Sequence, residues 1–136
     1  MSESTPCAGP KIGSFSWNEL ITPDTKAAET FYKQLFGWQS RPFSPPGTPA
    51  GAPPYTVFLT DPNTMGVGGM MASPAPGMPA QWHAYVIVTN VDASVALATK
   101  LGGKVCLPAM DVPEVGRVAM IQDPQGAVIG LHQPPG

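Results

Sequence analysis

Charged side chains are scarce in this 136-residue chain. Lysine and arginine together number seven and aspartate and glutamate nine, so charged residues make up 12% and the formal net charge is −2. The absence of any lysine/arginine run argues against a nucleic-acid-binding surface and against a polybasic membrane anchor. Because hydrophobic residues make up 43%, the low charge also argues against a disordered chain. We expect no nucleic-acid partner and no membrane partner.

Long apolar runs and metal-type cysteine patterns are also missing. The sequence has no apolar stretch long enough for a membrane span and no signal-peptide pattern at its start. Its two cysteines, Cys7 and Cys106, lack the spacing of a metal site. A cytoplasmic protein with reduced thiols is therefore expected, and a disulfide between the two cysteines stays open.

Proline and glycine, by contrast, are abundant, with 18 and 15 residues. They are concentrated in a few segments, which separate regular elements. Residues 1–10 are predicted to be a flexible tail and residues 73–80 a linker. Residues 41–54 contain too many prolines for regular structure, because proline cannot donate a ladder hydrogen bond. This segment is either a plain surface loop or a flap over a site.

The first half of the chain predicts a strand, a helix and three more strands. Residues 12–21 alternate in character, as a half-buried strand does. Thr22-Pro23-Asp24 predicts a helix start with Thr22 as the N-cap. An apolar stripe at helical spacing follows, and Gly37 stands where a C-terminal glycine belongs.

The second half repeats this order. Residues 82–89 are predicted to form a strand, Asn90 an N-cap and residues 91–101 a helix. Trp17 stands 20 residues before Gly37, as His83 stands 20 before Gly103. A repeat of this kind is the signature of stacked structural units. We predict one domain over residues 11–136, with module one at 11–72, the linker at 73–80 and module two at 81–133.

Three motifs carry a resemblance to a known family. They are Ala27-Ala-Glu-Thr-Phe-Tyr-Lys-Gln-Leu-Phe-Gly-Trp38, Val91-Asp-Ala-Ser-Val95 with Leu101-Gly-Gly103, and Asp123-Pro-Gln-Gly126 before a last strand. With them, the chain resembles the vicinal oxygen chelate superfamily, which includes glyoxalase I, bleomycin-resistance proteins and extradiol dioxygenases. Trp17-Asn-Glu-Leu20 and Val67-Gly-Gly-Met-Met71 look like a glyoxalase-like subgroup. The resemblance implies an α+β fold: two tandem βαβββ modules form a half-open, barrel-like mixed sheet around a cleft, with the helices outside.

The metal-dependent members of this superfamily place one ligand on the first and one on the last strand of each module. Carried over residue by residue, these positions fall on Trp17, on Gly68 or its neighbours Gly69 and Met70, on His83 and on Gly130. Since His83 alone is of a ligand type, we expect no tightly bound catalytic metal. The alternative is a divalent ion (Zn, Ni, Fe or Mn) held by a shifted Glu19/His83/His132 site.

The candidate site residues follow from the shared strand faces and from the resemblance. Glu19 and His83 are the candidate catalytic residues, since a carboxylate on an apolar face is either partnered or functional. A Glu19 hydrogen-bonded to its backbone neighbours is an equal alternative. Arg117 is an anion clamp or a solvated surface side chain. The full predicted ligand-binding set is Trp17, Glu19, Met70, His83, Tyr85, Arg117 and His132.

Three functions remain open. The first is a small-molecule binder or an enzyme of undefined activity, which holds an apolar or aromatic ligand between the modules, most plausibly as a homodimer. The second is a metal-dependent lyase or dioxygenase of the glyoxalase type. The third is a drug-sequestering resistance protein, which needs an acidic pocket, whereas the acids of this sequence are scattered.

Overall fold

The computed structural model describes residues 11–63 and 66–135, so the predicted tail at 1–10 lies outside the described residues. The order of elements, βαβββ, occurs twice. The first set is β1 Phe15–Thr22, α1 Thr25–Phe36, β2 Gln39–Pro42, β3 Tyr55–Leu59 and β4 Gly68–Ala72. The second set is β5 Gln81–Ile87, α2 Val91–Lys100, β6 Lys104–Val112, β7 Gly116–Gln122 and β8 Val128–Gln133.

All eight strands belong to one mixed sheet with the order β2-β3-β4-β1-β5-β8-β7-β6. The first strand of each set runs parallel to the last strand of the same set, and the other neighbours are antiparallel. The sheet has two edges, at β2 and β6, and does not close into a barrel. The predicted α+β class with a half-open mixed sheet is confirmed.

The two modules join through the antiparallel pair β1 and β5. Trp17 lies opposite Tyr85, and Glu19 lies opposite His83. This register is symmetric: His83 is 66 residues after Trp17 (83 − 17), and Tyr85 is 66 after Glu19 (85 − 19). The same offset that relates the two halves of the sequence therefore relates the two central strands. The modules pair with each other within one chain.

The helix starts show one correction. Asp24, not Thr22, is the N-cap of α1: its Oδ1 accepts a hydrogen bond from the Ala27 N–H at 3.0 Å. Thr22 ends β1 instead, and its hydroxyl accepts from the Asp24 N–H at 3.3 Å. Aspartate and threonine are both good N-caps, so the residue types alone did not separate them. The predicted N-cap Asn90 is confirmed by its acceptance from the Ala93 N–H.

Apolar residues on the outer face of the sheet pack beneath the helices. Leu20, Phe58 and Met70 form the core under α1, and Val91, Ala119 and Leu131 form the core with α2. Helix α1 covers its core only in part, because none of its residues is fully buried. Phe31, Leu35 and Phe36 are each more than half exposed. Within the described ranges, neither helix is both long and apolar enough to cross a membrane.

The inner face, which the helices do not cover, accommodates two tyrosine rings that lie against glycines. Gly130 is the register partner of Tyr85, and a β-carbon at Gly130 would overlap the Tyr85 ring. Gly69 is the partner of Glu19, and a β-carbon there would overlap the Tyr55 hydroxyl. Both glycines have ordinary backbone angles. Their role is therefore space for the rings rather than an unusual conformation.

We predict that Gly130→Ala lowers the free energy of unfolding by about 1–3 kcal/mol, the usual cost of overpacking a filled interior. The physical reason is the overlap of the new methyl group with the Tyr85 ring. Urea denaturation of the wild type and the variant measures this difference. In a Tyr85→Ala background the ring is absent, so the same substitution should cost clearly less. An equal cost in both backgrounds would contradict the proposed overlap.

Candidate functional site

A buried polar cluster lies on the inner face where β1 and β5 pair. Strand alternation directs it there: Trp82 reaches the outer face and donates from Nε1 to the Tyr32 hydroxyl of α1 at 3.0 Å. Its neighbour His83 must then point inward, as successive residues of a strand face opposite ways. The side chains that meet on the inner face are Trp17, Glu19, Tyr55, His83 and Tyr85. We call these five residues the inner-face cluster.

Glu19 is the centre of this cluster, with only 3% of its surface exposed. The Tyr55 hydroxyl donates to its Oε1 at 2.8 Å, and the Tyr85 hydroxyl donates to its Oε2 at 2.9 Å. Trp17 supports the first contact, because its Nε1–H donates to the Tyr55 oxygen at 2.9 Å. Hydrogen bonds to a charged acceptor are the stronger kind, and here both carboxylate oxygens receive one. The carboxylate is thus partnered by tyrosine side chains and not by its backbone neighbours.

The two tyrosines are fixed as neutral donors. Burial raises the pKa of Tyr55 and of Tyr85 well above the ordinary value of a phenol, and the negative charge of Glu19 raises both further. Each hydroxyl is therefore protonated at neutral pH. A neutral phenol suits the role of a hydrogen-bond donor to a carboxylate.

His83 is the unsatisfied member of the cluster. It is 6% exposed, and its ring lies against the Tyr85 ring with the centroids 5.2 Å apart. Its Nε2 is 3.2 Å from Glu19 Oε2, but the two groups are not aligned as a hydrogen bond. Neither ring nitrogen has a hydrogen-bond partner among the described residues. A buried imidazole that makes no hydrogen bond costs about 1–3 kcal/mol.

Three predicted site residues lie elsewhere. Met70 packs with Leu20 and Phe58 under α1, on the opposite face of the sheet from Glu19. Met70 was predicted as a ligand-binding residue because the sequence left open which residues of the glycine-rich strand face the site. Since Gly69 pairs with Glu19 and faces the cluster, the next residue, Met70, must face the helix.

Arg117 is not an unpaired cation. Its guanidinium donates to Asp92 through Nε and Nη2, at 2.9 and 3.0 Å, and to Asp111 at 3.1 Å. The same guanidinium holds the pKa of Asp92 below its usual value. Two carboxylates thus neutralise the charge that an anion clamp would need. Arg117 links the start of α2 to β6 at the surface instead.

His132 lies on the inner face but apart from Glu19 and His83. Its Nδ1 is 3.2 Å from the Ser16 hydroxyl oxygen, and its Nε2 is 2.8 Å from the Val115 carbonyl oxygen. The shifted Glu19/His83/His132 set is therefore not assembled. In residues 11–63 and 66–135, no three His, Cys, Asp or Glu side chains are grouped as metal ligands. The donor set near His83 does not fit a tightly held divalent ion, because both Glu19 oxygens already accept a hydrogen bond from a tyrosine hydroxyl.

The sheet register also decides which residues occupy the superfamily's four ligand positions. Trp17 and His83 are equivalent, and Gly69 and Gly130 are equivalent because they pair with the equivalent residues Glu19 and Tyr85. The second position is thus Gly69, rather than Gly68 or Met70.

Tyr55 is a site residue that the sequence did not indicate. It begins β3 directly after the proline-rich segment, and its counterpart in the second module is aliphatic, so the repeat gives it no emphasis. The available signal was local: Tyr55 shares a strand face with Val57, and Val57 pairs with Gly69 beside Glu19. That inference needs the β3–β4 register, which the sequence alone does not supply.

The proline-rich segment crosses between the two edges of the sheet. It leaves β2 at one edge, yet a β-carbon at Gly47 would lie 3.6 Å from Pro113 Cγ, in the turn after β6 at the other edge. Phe43, at its start, lies edge-on against the Tyr55 ring, with the centroids 6.2 Å apart. We call residues 43–54 the flap. A surface hollow of about 460 Å³ lies where the flap meets residues 111–117.

Comparison with known proteins places this geometry in a family. Residues 18–132 match the family described as the glyoxalase-like domain. A Mycobacterium tuberculosis protein with the provisional name glyoxylase CFP32 is 37% identical over 122 residues, covering 89% of this chain and 46% of that protein. The anthracycline biosynthesis protein DnrV of Streptomyces peucetius is 33% identical over 131 residues, covering 88% and 46%. The chain thus spans about half the length of these curated relatives.

Solved structures share the fold at low sequence identity. Methylmalonyl-CoA epimerase from Mycobacterium tuberculosis superposes with a TM-score of 0.56 at 14% identity, covering 96% of this chain and 95% of that one. Homoprotocatechuate 2,3-dioxygenase from B. fuscum gives a TM-score of 0.56 at 15% identity, covering 97% and 35%. At these identities the likeness concerns the fold alone. The fold likeness agrees with the resemblance stated from the motifs, and the family match over residues 18–132 shows that this chain belongs to the glyoxalase-like domain family.

Proposed function

We propose that this domain binds a small, largely apolar or aromatic molecule against the inner-face cluster, beneath the flap, and that it does so without a tightly bound catalytic metal. The observation that carries the proposal is the buried His83 ring, whose two nitrogens have no hydrogen-bond partner among the described residues. A ligand that supplies one hydrogen bond to this ring recovers free energy that the unliganded fold lacks.

The chemistry of the cluster defines the ligand class. Trp17, Tyr55 and Tyr85 present aromatic rings, which favour a flat apolar or aromatic body. Neutral histidine offers one donor and one acceptor, so a hydroxyl or a carbonyl group on that body suits it. Two relatives carry the name anthracycline biosynthesis protein. These names are the reason for testing an anthraquinone as the ligand of this chain.

If the bound molecule is also converted, His83 is the better-placed proton acceptor. Both oxygens of Glu19 already accept a hydrogen bond from a tyrosine hydroxyl, so each is occupied by a donor within the cluster. His83 has unused nitrogens and lies 3.2 Å from Glu19, whose charge stabilises an imidazolium once it forms. In this arrangement His83 is the base and Glu19 stabilises the protonated form.

The metal-dependent lyase or dioxygenase alternative is less well supported. It needs a third ligand beside Glu19 and His83, and His132 is instead held by Ser16 and Val115. The drug-sequestering alternative needs an acidic pocket for a cation. Asp92 and Asp111, two of its candidate acids, are already paired with Arg117.

We predict that 1,4-dihydroxyanthraquinone binds the wild-type protein and that His83→Phe raises its Kd about tenfold, which corresponds to about 1.4 kcal/mol and to one lost hydrogen bond. Phenylalanine keeps the ring and removes both nitrogens. Isothermal titration calorimetry measures both constants. Met70→Leu is the matched control, because Met70 lies under α1, and its Kd should equal the wild-type value. A His83→Phe variant with wild-type affinity would contradict the role of the imidazole.

We predict that protein produced in medium supplemented with Zn, Ni, Fe and Mn retains far less than one equivalent of metal after dialysis. The reason is the donor set: His83 and Glu19 alone cannot hold a divalent ion tightly. Elemental analysis of the dialysed protein gives the answer. A full equivalent of one metal that disappears in His83→Ala would overturn the metal-independent proposal.

A further inference from the structure

A second pair of reactive groups lies on the same face, outside the inner-face cluster. We propose that Ser16 and His132 form a nucleophile–base pair, and that Ser16 is reactive toward small activated acyl compounds such as esters and thioesters. The Ser16 hydroxyl oxygen is 3.2 Å from His132 Nδ1. This is a contact between the two modules, since Ser16 belongs to β1 and His132 to β8.

The contacts of His132 fix the direction of proton transfer. Its Nε2 is 2.8 Å from the Val115 carbonyl oxygen, and a carbonyl oxygen can only accept, so Nε2 carries the hydrogen. In the neutral ring Nδ1 is then the unprotonated nitrogen, and it accepts from the Ser16 hydroxyl. A base oriented by a third group and hydrogen-bonded to a hydroxyl is the general arrangement of an activated serine. Here the orienting group is a backbone carbonyl.

Two backbone irregularities lie beside this contact, a β-bulge at Ser16 and a positive φ angle at Glu114. The pairing of β1 with β5 shifts register between Phe15 and Trp17, which leaves Ser16 as the additional residue of a β-bulge. Bulges redirect a side chain and occur preferentially beside functional sites. The residue before Val115, Glu114, has φ +68°, which is uncommon outside glycine and marks a strained turn. That turn presents the Val115 carbonyl to His132.

The pair is accessible, unlike Glu19 and His83. Ser16, Val115 and His132 are each half-buried rather than buried. The hollow of about 460 Å³ at the flap is lined by Glu114 and Gly116, which flank Val115, and by Gln133, which follows His132. The volume is within the range of small-molecule sites. Neither Ser16 nor His132 lines the hollow itself, so the proposal places the acyl compound beside the chain neighbours of Val115 and His132.

The proposed reaction balances with water as the only co-reactant. Ser16 Oγ attacks the acyl carbon, its proton passes to His132 Nδ1, and the bond from the acyl carbon to the leaving oxygen or sulfur breaks. The leaving group takes the proton. Water then attacks the acyl-serine while Nδ1 takes its proton, the Oγ–carbon bond breaks, and Oγ is protonated as the carboxylic acid departs.

The test is covalent labelling of the full chain with phenylmethylsulfonyl fluoride, read by peptide mass spectrometry. The Oγ–sulfur bond forms, fluoride leaves, and the proton passes through His132. Ser14 is the internal control, because its hydroxyl donates to the Lys11 carbonyl, which cannot act as a base. We expect Ser16 to be labelled at least about 100-fold faster than Ser14, the lower range of general-base catalysis. Equal labelling of the two serines overturns the proposal.

Substitution separates reactivity from exposure. His132→Ala should slow the labelling of Ser16 about 100-fold or more, with the folded state checked by circular dichroism, and Ser16→Ala should abolish the labelled peptide. Unchanged labelling of Ser16 in folded His132→Ala protein also overturns the proposal. If His132→Ala does not fold, the comparison of Ser16 with Ser14 in the wild-type protein decides. Met70→Leu, which lies under α1 and outside both polar groups, should not change the labelling. The labelling needs no ligand at the inner-face cluster, so this test is independent of the proposed binding there.

Discussion

The antiparallel pairing of β1 with β5 is the contact on which the rest of the structure depends. It joins the two modules into one sheet and sets Glu19 opposite His83 and Trp17 opposite Tyr85. Residues directly opposite in such a pair have their β-carbons only about 5 Å apart. A slip of one residue would turn Glu19 and His83 to opposite faces of the sheet. This register is therefore what brings Trp17, Glu19, His83 and Tyr85 together on one face of the sheet.

The cost of burying the Glu19 carboxylate explains the composition around it. An unpaired buried charge is strongly unfavourable, and here two tyrosine hydroxyls offset that cost. The tyrosine rings in turn need room above the neighbouring strands, which Gly69 and Gly130 provide. These glycines occupy two of the four positions at which metal-dependent superfamily members place a ligand. A longer side chain at either position would overlap a tyrosine. In this chain, glycine at these two positions and the tyrosine–glutamate cluster therefore depend on each other sterically.

Most of the fold could be predicted from the sequence, because local patterns indicate the helices and strands and the internal repeat indicates two equivalent modules. Strand alternation predicted that Glu19 shares a face with Trp17 and Tyr85 a face with His83, and Asn90 and Gly37 lie at the predicted ends of their helices. The predictions that differ from the structure depend on strand register and on packing between elements, which no local sequence pattern indicates. Met70 was predicted at the site but faces α1, because the choice between the two faces depends on a one-residue register in a glycine-rich strand. The partners of Arg117, Asp92 and Asp111, are brought to it only by the packing of α2 and β6.

The site was less predictable than the fold for the same reason. Tyr55 donates to Glu19 across 36 residues of sequence, and its position depends on the β3–β4 pairing. Likewise, His132 is separated from Ser16 by 116 residues, and only the shifted register at Ser16 brings the two together. In both cases the residue types were visible in the sequence, whereas the partner was a property of the sheet.

The two polar pairs of the inner face differ in how deeply they are buried, and so in what a small molecule needs in order to reach them. Glu19 and His83 are almost completely buried, and the ring of Phe43 at the start of the flap lies against Tyr55. A molecule can reach His83 only if the structure opens, and the flap is the segment without regular structure that joins the two sheet edges there. Proline restricts the conformations of the displaced segment. The segment therefore loses less conformational entropy when it packs back against the sheet than a flexible loop would lose. Ser16 and His132 differ from Glu19 and His83, because both are only half-buried. Residues 43–54 contact the inner-face cluster through Phe43 and the turn after β6 at Gly47, so the proposed binding at His83 requires this segment to move.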